Sequence, residues 1–248
     1  MMKSQFLTTL VLVILAAVAR AADGGANAIV TTNQPIWENS ISFGLTLARG
    51  NIDSLLADTA FKTHRNNPTN ELTLSLEGAY GENQSVKNNE MLHGYGQYNH
   101  LFTDRFFGYA RADGFHDSIA DITYRVTVSP GAGYYFLKSK STTLAGEAGP
   151  GMVFERLDGE TLNYPTPRLA ERFEHKWDNH TRIWENVEYL QQLDQDNNFL
   201  INAEVGAEAA LTRHISLRTV LQDSFANIPA PGRRDNDVKL ISGIVYKF

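Results

Sequence analysis

The chain has 248 residues, 22 Lys and Arg against 28 Asp and Glu, a formal charge of −6, and no cysteine. A negative balance argues against a nucleic-acid partner, and the lack of Cys excludes a disulfide framework and a cysteine-linked lipid anchor. Beyond the first 21 residues no apolar run approaches the roughly 18 residues of a spanning helix, so an integral protein of this sequence has to be a barrel.

Lys3, an apolar run over residues 6–19 and the small-residue site Ala19-Arg20-Ala21 have the layout of a secretory signal peptide, expected over residues 1–21 and cleaved. Its removal takes away Lys3 and Arg20 and no acid, leaving 20 basic against 28 acidic residues, a charge of −8. Residues 22–38 read as a polar periplasmic lead-in, and residues 39–248 as one domain.

From residue 40 the pattern has period 2, broken by turn residues, as strands between two environments require. Phe43, Leu45 and Leu47 alternate with Ser42, Gly44 and Thr46 before a turn at Gly50-Asn51, and Leu55, Ala57, Thr59 and Phe61 alternate with Asp58, Ala60 and Lys62. Leu72, Leu74 and Leu76 oppose Thr73, Ser75 and Glu77; the fourth strand, reaching residue 102, alternates more weakly. The fifth carries Arg111 and Asp113, the sixth sets Tyr124, Val126, Val128 and Tyr134 against Arg125, Thr127 and Ser129, and the seventh sets Leu144, Ala148 and Met152 against Glu147 and Glu155. A longer loop is expected next, containing Asp158, Gly159, Pro165 and Pro167.

In the eighth strand Leu169, Phe173 and Trp177 share a face with Glu171 and His175, and in the ninth Ile183, Val187 and Tyr189 share one with Glu185. The last three are clean: Ile201, Ala203 and Val205 face away from Glu204 and Glu208, Leu217 and Leu221 away from Arg218 and Gln222, and Val238, Leu240, Ile244, Tyr246 and Phe248 line one face. Turns near 66, 103, 139, 179 and 213 read as tight and those near 85, 118, 161 and 230 as longer, with short exceptions at 50 and near 195. Alternating turn lengths and an even strand number suit an outer-membrane barrel. The expected fold is all-β: a closed antiparallel up-and-down transmembrane β-barrel of about 12 strands.

Long strands, aromatics near strand ends (Phe61, Tyr80, Tyr98, Phe102, Tyr134, Phe136, Trp177, Tyr246) and the aromatic terminus favour lipid outside and charge inside over a soluble sandwich. The inward charges, Glu77, Arg111, Asp113, Arg125, Glu147, Glu204, Glu208 and Arg218, carry both signs. They can cross-pair as a plug, since buried charges need partners, or line a narrow pore for ions or small solutes; the modest lumen of twelve strands favours the plug. The ending Ile244-Val245-Tyr246-Lys247-Phe248 resembles the signal by which the barrel-assembly machinery of Gram-negative outer membranes recognises its clients. That implies a Gram-negative outer-membrane location, with membrane lipid and this machinery as partners.

Phe43-Gly44-Leu45 leading to Gly50-Asn51-Ile52-Asp53, then Gly131-Ala132-Gly133-Tyr134, Glu147-Ala148-Gly149-Pro150-Gly151 and residues 229–235 together resemble family 481 of the domains of unknown function (DUF481), whose bacterial members are often described as salt-induced outer-membrane proteins. The resemblance covers about residues 39–248. It implies an outer-membrane barrel of unknown molecular activity, and neither an enzyme nor a substrate. Independently, Gly131, Gly133, Gly146, Gly149 and Gly151 permit sharp coiling, or close approach of bulky neighbours such as Tyr135.

No cofactor or metal site is expected. Glu171, Glu174, His175 and His180 lack a spacing that converges on a strand, and residues 194–198 begin like a calcium loop without its Gly and closing Glu. An outer-membrane lipid hydrolase is the enzyme alternative: it needs a Ser beside a His base, with His93, His100, His214, Ser216 and Ser224 available but no G-x-S-x-G elbow. A soluble periplasmic barrel carrying a ligand in an apolar interior is the other alternative.

Overall fold

The computed structural model describes residues 36–49, 54–83, 86–178, 180–195 and 197–248. The expected signal peptide, most of the lead-in and the turn at Gly50-Asn51 lie outside the described residues. Twelve strands follow one another: β1 (Ile36–Arg49), β2 (Ser54–Asn66), β3 (Asn70–Asn83), β4 (Val86–Leu101), β5 (Phe106–Asp117), β6 (Ile122–Lys138), β7 (Thr142–Leu157), β8 (Glu160–Lys176), β9 (Thr181–Gln191), β10 (Phe199–Ala210), β11 (Ile215–Ala226) and β12 (Asn236–Lys247). Each pairs antiparallel with its sequence neighbours, and β1 closes on β12 through Phe43 opposite Ile244 and Gly44 opposite Gly243. β1 starts a little earlier than the periodicity suggests, so residues 36–38 of the expected lead-in belong to the barrel.

The side chains sort as lipid outside and polar groups inside require. Phe43, Leu45, Leu76, Leu92, Val128 and Ile244 stand exposed on the outer wall, whereas Asp58, Glu71, Gln97, Glu147, Glu155 and Arg168 are buried within. Such an exterior has no place in a water-soluble ligand carrier. Aromatics border the apolar band. Phe102, Phe106, Tyr134, Phe136, Trp177 and Tyr246 are exposed near the ends that carry the turns near 103, 139, 179 and 213. At the opposite ends the rings of Tyr189, Phe199 and Phe225 follow one another across β9, β10 and β11 at 5.8 and 5.7 Å.

Several connections depart from the turn lengths read in the sequence. β3 runs to Asn83 and β4 starts at Val86, so most of the longer loop expected near 85 is strand, and the connection near 118 spans residues 118–121, no longer than those near 103, 179 and 213. The long loop expected near 161 is a two-residue hairpin: Asp158 and Gly159 take φ of 48° and 78°, the left-handed pair of a type I′ turn. β8 therefore begins at Glu160 and contains Pro165 and Pro167. They fit because β8 outreaches β9, whose pairing with β8 extends only as far as Leu190 opposite Arg168, so neither proline removes an N–H from that ladder. Conversely, the connection near 195 is one of the longer ones, running from β9 to β10 over residues 192–198.

The glycines of β6 and β7 serve two purposes. Pairing of these strands is interrupted between Val128 opposite Met152 and Ala132 opposite Ala148. There the backbones draw close enough that a Cβ on Gly149 would overlap the carbonyl of Pro130. Gly133 instead forms a floor for an aromatic ring, but the ring is Phe107 of β5 rather than Tyr135: a Cβ at Gly133 would overlap it. Gly146 faces outward beneath Phe136.

Candidate functional site in the barrel lumen

Alternation along β4, β5, β7 and β8 turns Gln97, Arg111, Glu147 and Arg168 inward, and the lumen is narrow enough for side chains of non-adjacent strands to meet. Gln97 Nε2 of β4 donates to Glu147 Oε1 of β7 at 2.8 Å. The Tyr135 hydroxyl of β6 donates to Glu71 Oε2 of β3 at 2.7 Å. Arg111 Nε of β5 stands 3.9 Å from Glu188 Oε1 of β9, and Gln222 Nε2 of β11 donates to Glu77 Oε2 of β3 at 3.4 Å.

Arg168 is the hub. Its Nη1 donates to Glu147 at 2.8 Å and its Nε to Glu188 at 2.5 Å, while Arg172 adds a second cation to Glu147 at 2.5 Å. Glu147 thus faces two guanidiniums and an amide, which compensates a carboxylate otherwise costly to bury. Arg111 joins through Asp113 at 2.7 Å and Gln97 at 3.3 Å, lies over the Tyr95 ring at 4.1 Å, and shares Asp113 with His93. Asn99 carries the chain of contacts on to Glu71 at 2.9 Å.

Beside this network the inward side chains of Leu101, Phe107, Tyr109, Tyr135 and Ala145 form a buried cluster. Phe107 has 0% exposure, and its ring lies 5.0 Å from that of Tyr135. A wall residue with no contact with solvent means the lumen is packed at that level.

The eight inward charges expected from sequence all face the lumen, but mostly with partners that periodicity did not single out. Only Arg111 and Asp113 pair with each other. Arg125 pairs with Glu155 at 2.5 Å, Glu147 with Arg168 and Arg172, and Glu208 with Arg182 at 2.9 Å and with Lys247. Glu204 accepts from Trp184 Nε1 at 2.7 Å and Gln222 at 3.1 Å, which links it to Glu77, and Arg218 donates to Ser42 across the β1–β12 seam at 2.8 Å. Arg168 and Arg172 are hidden in the sequence because Pro165 and Pro167 suggest a loop there and Glu171 blurs the alternation. The available signal was the even-numbered set Arg168, Ala170, Arg172 and Glu174.

The groups considered for lipid hydrolysis are engaged elsewhere. His93 contacts Asp113, His100 contacts Asn70 and His214 Nδ1 contacts the Lys247 carbonyl, none of them a serine. Among the described residues no cluster of three His, Asp or Glu side chains is arranged to hold a metal ion. At the C-terminal strand Ile244, Tyr246 and Phe248 all point outward, with the last two rings stacked at 6.0 Å.

The family described as "Protein of unknown function, DUF481" matches residues 41–248. No curated protein matches the chain. Among solved structures, the NanC porin aligns over 84% of this chain and 100% of its own with a TM-score of 0.58 at 10% identity. The KdgM porin aligns over 84% and 99% with a TM-score of 0.51 at 12% identity. At such identities the likeness is one of fold: a barrel of the outer-membrane porin type.

Proposed function

This chain belongs to the DUF481 family, proteins of unknown function, and from that premise we propose that it is a non-enzymatic barrel of the Gram-negative outer membrane whose lumen is plugged by its own side chains. It serves the envelope structurally and passes small ions at most. The observation that carries this reading is the set of contacts between non-adjacent strands, above all Gln97 to Glu147 and Tyr135 to Glu71. A solute wider than an ion has to break them, and each is charge-assisted and shielded from bulk water. The chain reaches its membrane by a cleaved signal over residues 1–21 and by recognition of Ile244, Tyr246 and Phe248 by the barrel-assembly machinery.

A narrow channel is the second reading. Arg111 Nε, Arg172 Nε and Glu77 Oε1 are buried without a hydrogen-bond partner, and such groups can exchange ions along the lumen. Purified, folded protein in planar bilayers separates the two. The plug predicts silence or rare small current steps, whereas steady large steps reject it. Partition of the mature protein into an aqueous phase without detergent would reject membrane insertion altogether.

A further inference from the structure

The outer wall carries two acids that neither the plug nor the membrane explains. Glu171 of β8 and Glu185 of β9 both face outward: Glu171 opposes Val187, and Glu185 opposes Phe173 on one side and Val205 on the other. They are diagonal neighbours on the ladder, with Cα atoms about 7–8 Å apart and side chains within reach of each other. Along the strands they are flanked by Leu169, Phe173, Ile183 and Val187. Glu185 is only 5% exposed and makes no hydrogen bond or ion pair among the described residues. The outward arginines, Arg65 and Arg156, stand at strand ends. The flanking walls offer small side chains, Ala148 on β7 with Ala203 and Ala207 on β10, which let another backbone approach.

We propose that the β8–β9 face receives a cationic side chain, Lys or Arg, of a different membrane-embedded protein, held by Glu171 and Glu185. Two carboxylates among apolar side chains on a lipid-facing wall are destabilising unless neutralised. Membrane symmetry excludes a second copy as the source. Copies inserted the same way round are related only by axes along the membrane normal, so each presents to its neighbour residues at the same height. A two-fold axis through this face would set Glu171 and Glu185 against their own counterparts, like charge against like, and an axis beside it would set them against another part of the same wall. In that arrangement, as around a larger ring, the facing wall would need an outward Lys or Arg away from the strand ends, and none stands there among the described residues.

The test uses the full-length protein in its own outer membrane. A photo-crosslinking amino acid is placed at Leu169 or Val187, beside the acids, and at Leu74 on β3 as a control. The expected result is one defined adduct from Leu169 and Val187 and none from Leu74. Its yield falls about tenfold in the E171Q/E185Q variant, which removes the charge-assisted contact, and survives in E171D/E185D. Exchanging the crosslinked partner's Lys or Arg for Glu abolishes the adduct, and E171K/E185K restores it. Heat-modifiable migration on gels establishes that each variant is folded, and if the double Gln variant fails to fold, E171Q alone is read. An adduct of twice the chain's own mass, an adduct indifferent to the Gln changes, or no adduct overturns the proposal. So does stability that collapses on chelation of divalent cations, which would assign the carboxylates to a metal ion instead.

Discussion

Gln97 of β4 and Glu147 of β7 are joined at 2.8 Å although two further strands separate them in the wall. A hydrogen bond of this kind couples the cross-section of the barrel to the protonation and pairing of Glu147. Opening the lumen means separating groups that the closed barrel keeps away from water.

Arg168 is where that coupling is most vulnerable. Replacing it with Met leaves Glu188 without its closest cation and Glu147 with Arg172 alone. Removing one member of a buried charge network costs about 3–5 kcal/mol. The R168M variant is expected to unfold at correspondingly lower denaturant in detergent micelles, and to show more frequent current steps in planar bilayers than the parent.

Phe107 and Gly133 form a second test because each is shaped to the other. Phe107→Ala empties a packed site and is expected to cost about 3–5 kcal/mol. Gly133→Ala forces the ring aside, at about 1–3 kcal/mol. With the ring gone, the added methyl has room. The double variant should therefore be less destabilised than the two single effects combined, and equilibrium unfolding of all four proteins measures the coupling.

The outer wall yields a third expectation. Leu76 is exposed mid-strand on β3, whereas the adjacent Ser75 faces the lumen. Leu76→Arg is expected to lower stability in lipid vesicles by about 2–4 kcal/mol, as a cation does near the bilayer midplane. Ser75→Arg should cost clearly less, and equal losses at the two positions would contradict the assignment of faces.

Outside the membrane, Asp178 organises the turn between β8 and β9. Its carboxylate accepts the backbone N–H groups of His180 and Thr181, both at 2.7 Å, and these bonds hold its pKa below the usual Asp range. A group with a depressed folded pKa stabilises the fold above its unfolded pKa, and that contribution is lost as pH falls through the folded value. Asp178→Ala should be less stable than the parent at neutral pH and converge with it in acid. A difference that persists unchanged below the folded value would assign the effect to turn packing.

Deleting Phe248 probes the assembly route. Its ring stacks on Tyr246 on the outer face, at the last alternate position of the terminal pattern. The truncated chain is expected to accumulate unfolded in the periplasm, measured as the loss of heat-modifiable protein, while refolding in detergent stays close to that of the parent.

Legibility in the sequence followed the contrast between the two sides of each strand. β6 reads cleanly because Val126, Val128 and Tyr134 meet lipid while Arg125, Thr127 and Ser129 meet the lumen, two environments as different as a protein offers. β8 reads poorly because its prolines mimic a loop and Glu171 interrupts its outer face, the first a consequence of β8 outreaching β9 and the second of a local exception to lipid contact. The lumenal charges were visible as a set from their period. Their partners were not, because the contacts between β4 and β7 or β5 and β9 depend on the width and tilt of the closed barrel, which no local pattern encodes.

The β1–β12 seam sets one more property of the chain. Every other ladder joins strands that are consecutive in sequence, so each can zip from its own turn with little loss of chain entropy. The seam alone joins residues from the two ends of the described chain, Ser40 with Lys247 and Arg49 with Val238, and it has the largest loop to close. Until it forms, β1 and β12 are both open edges able to pair with another chain. Closure is therefore expected to be the slow step of folding, and the competing pairing of these edges with another chain, which rises with protein concentration, should give seam-exchanged oligomers rather than scrambled hairpins.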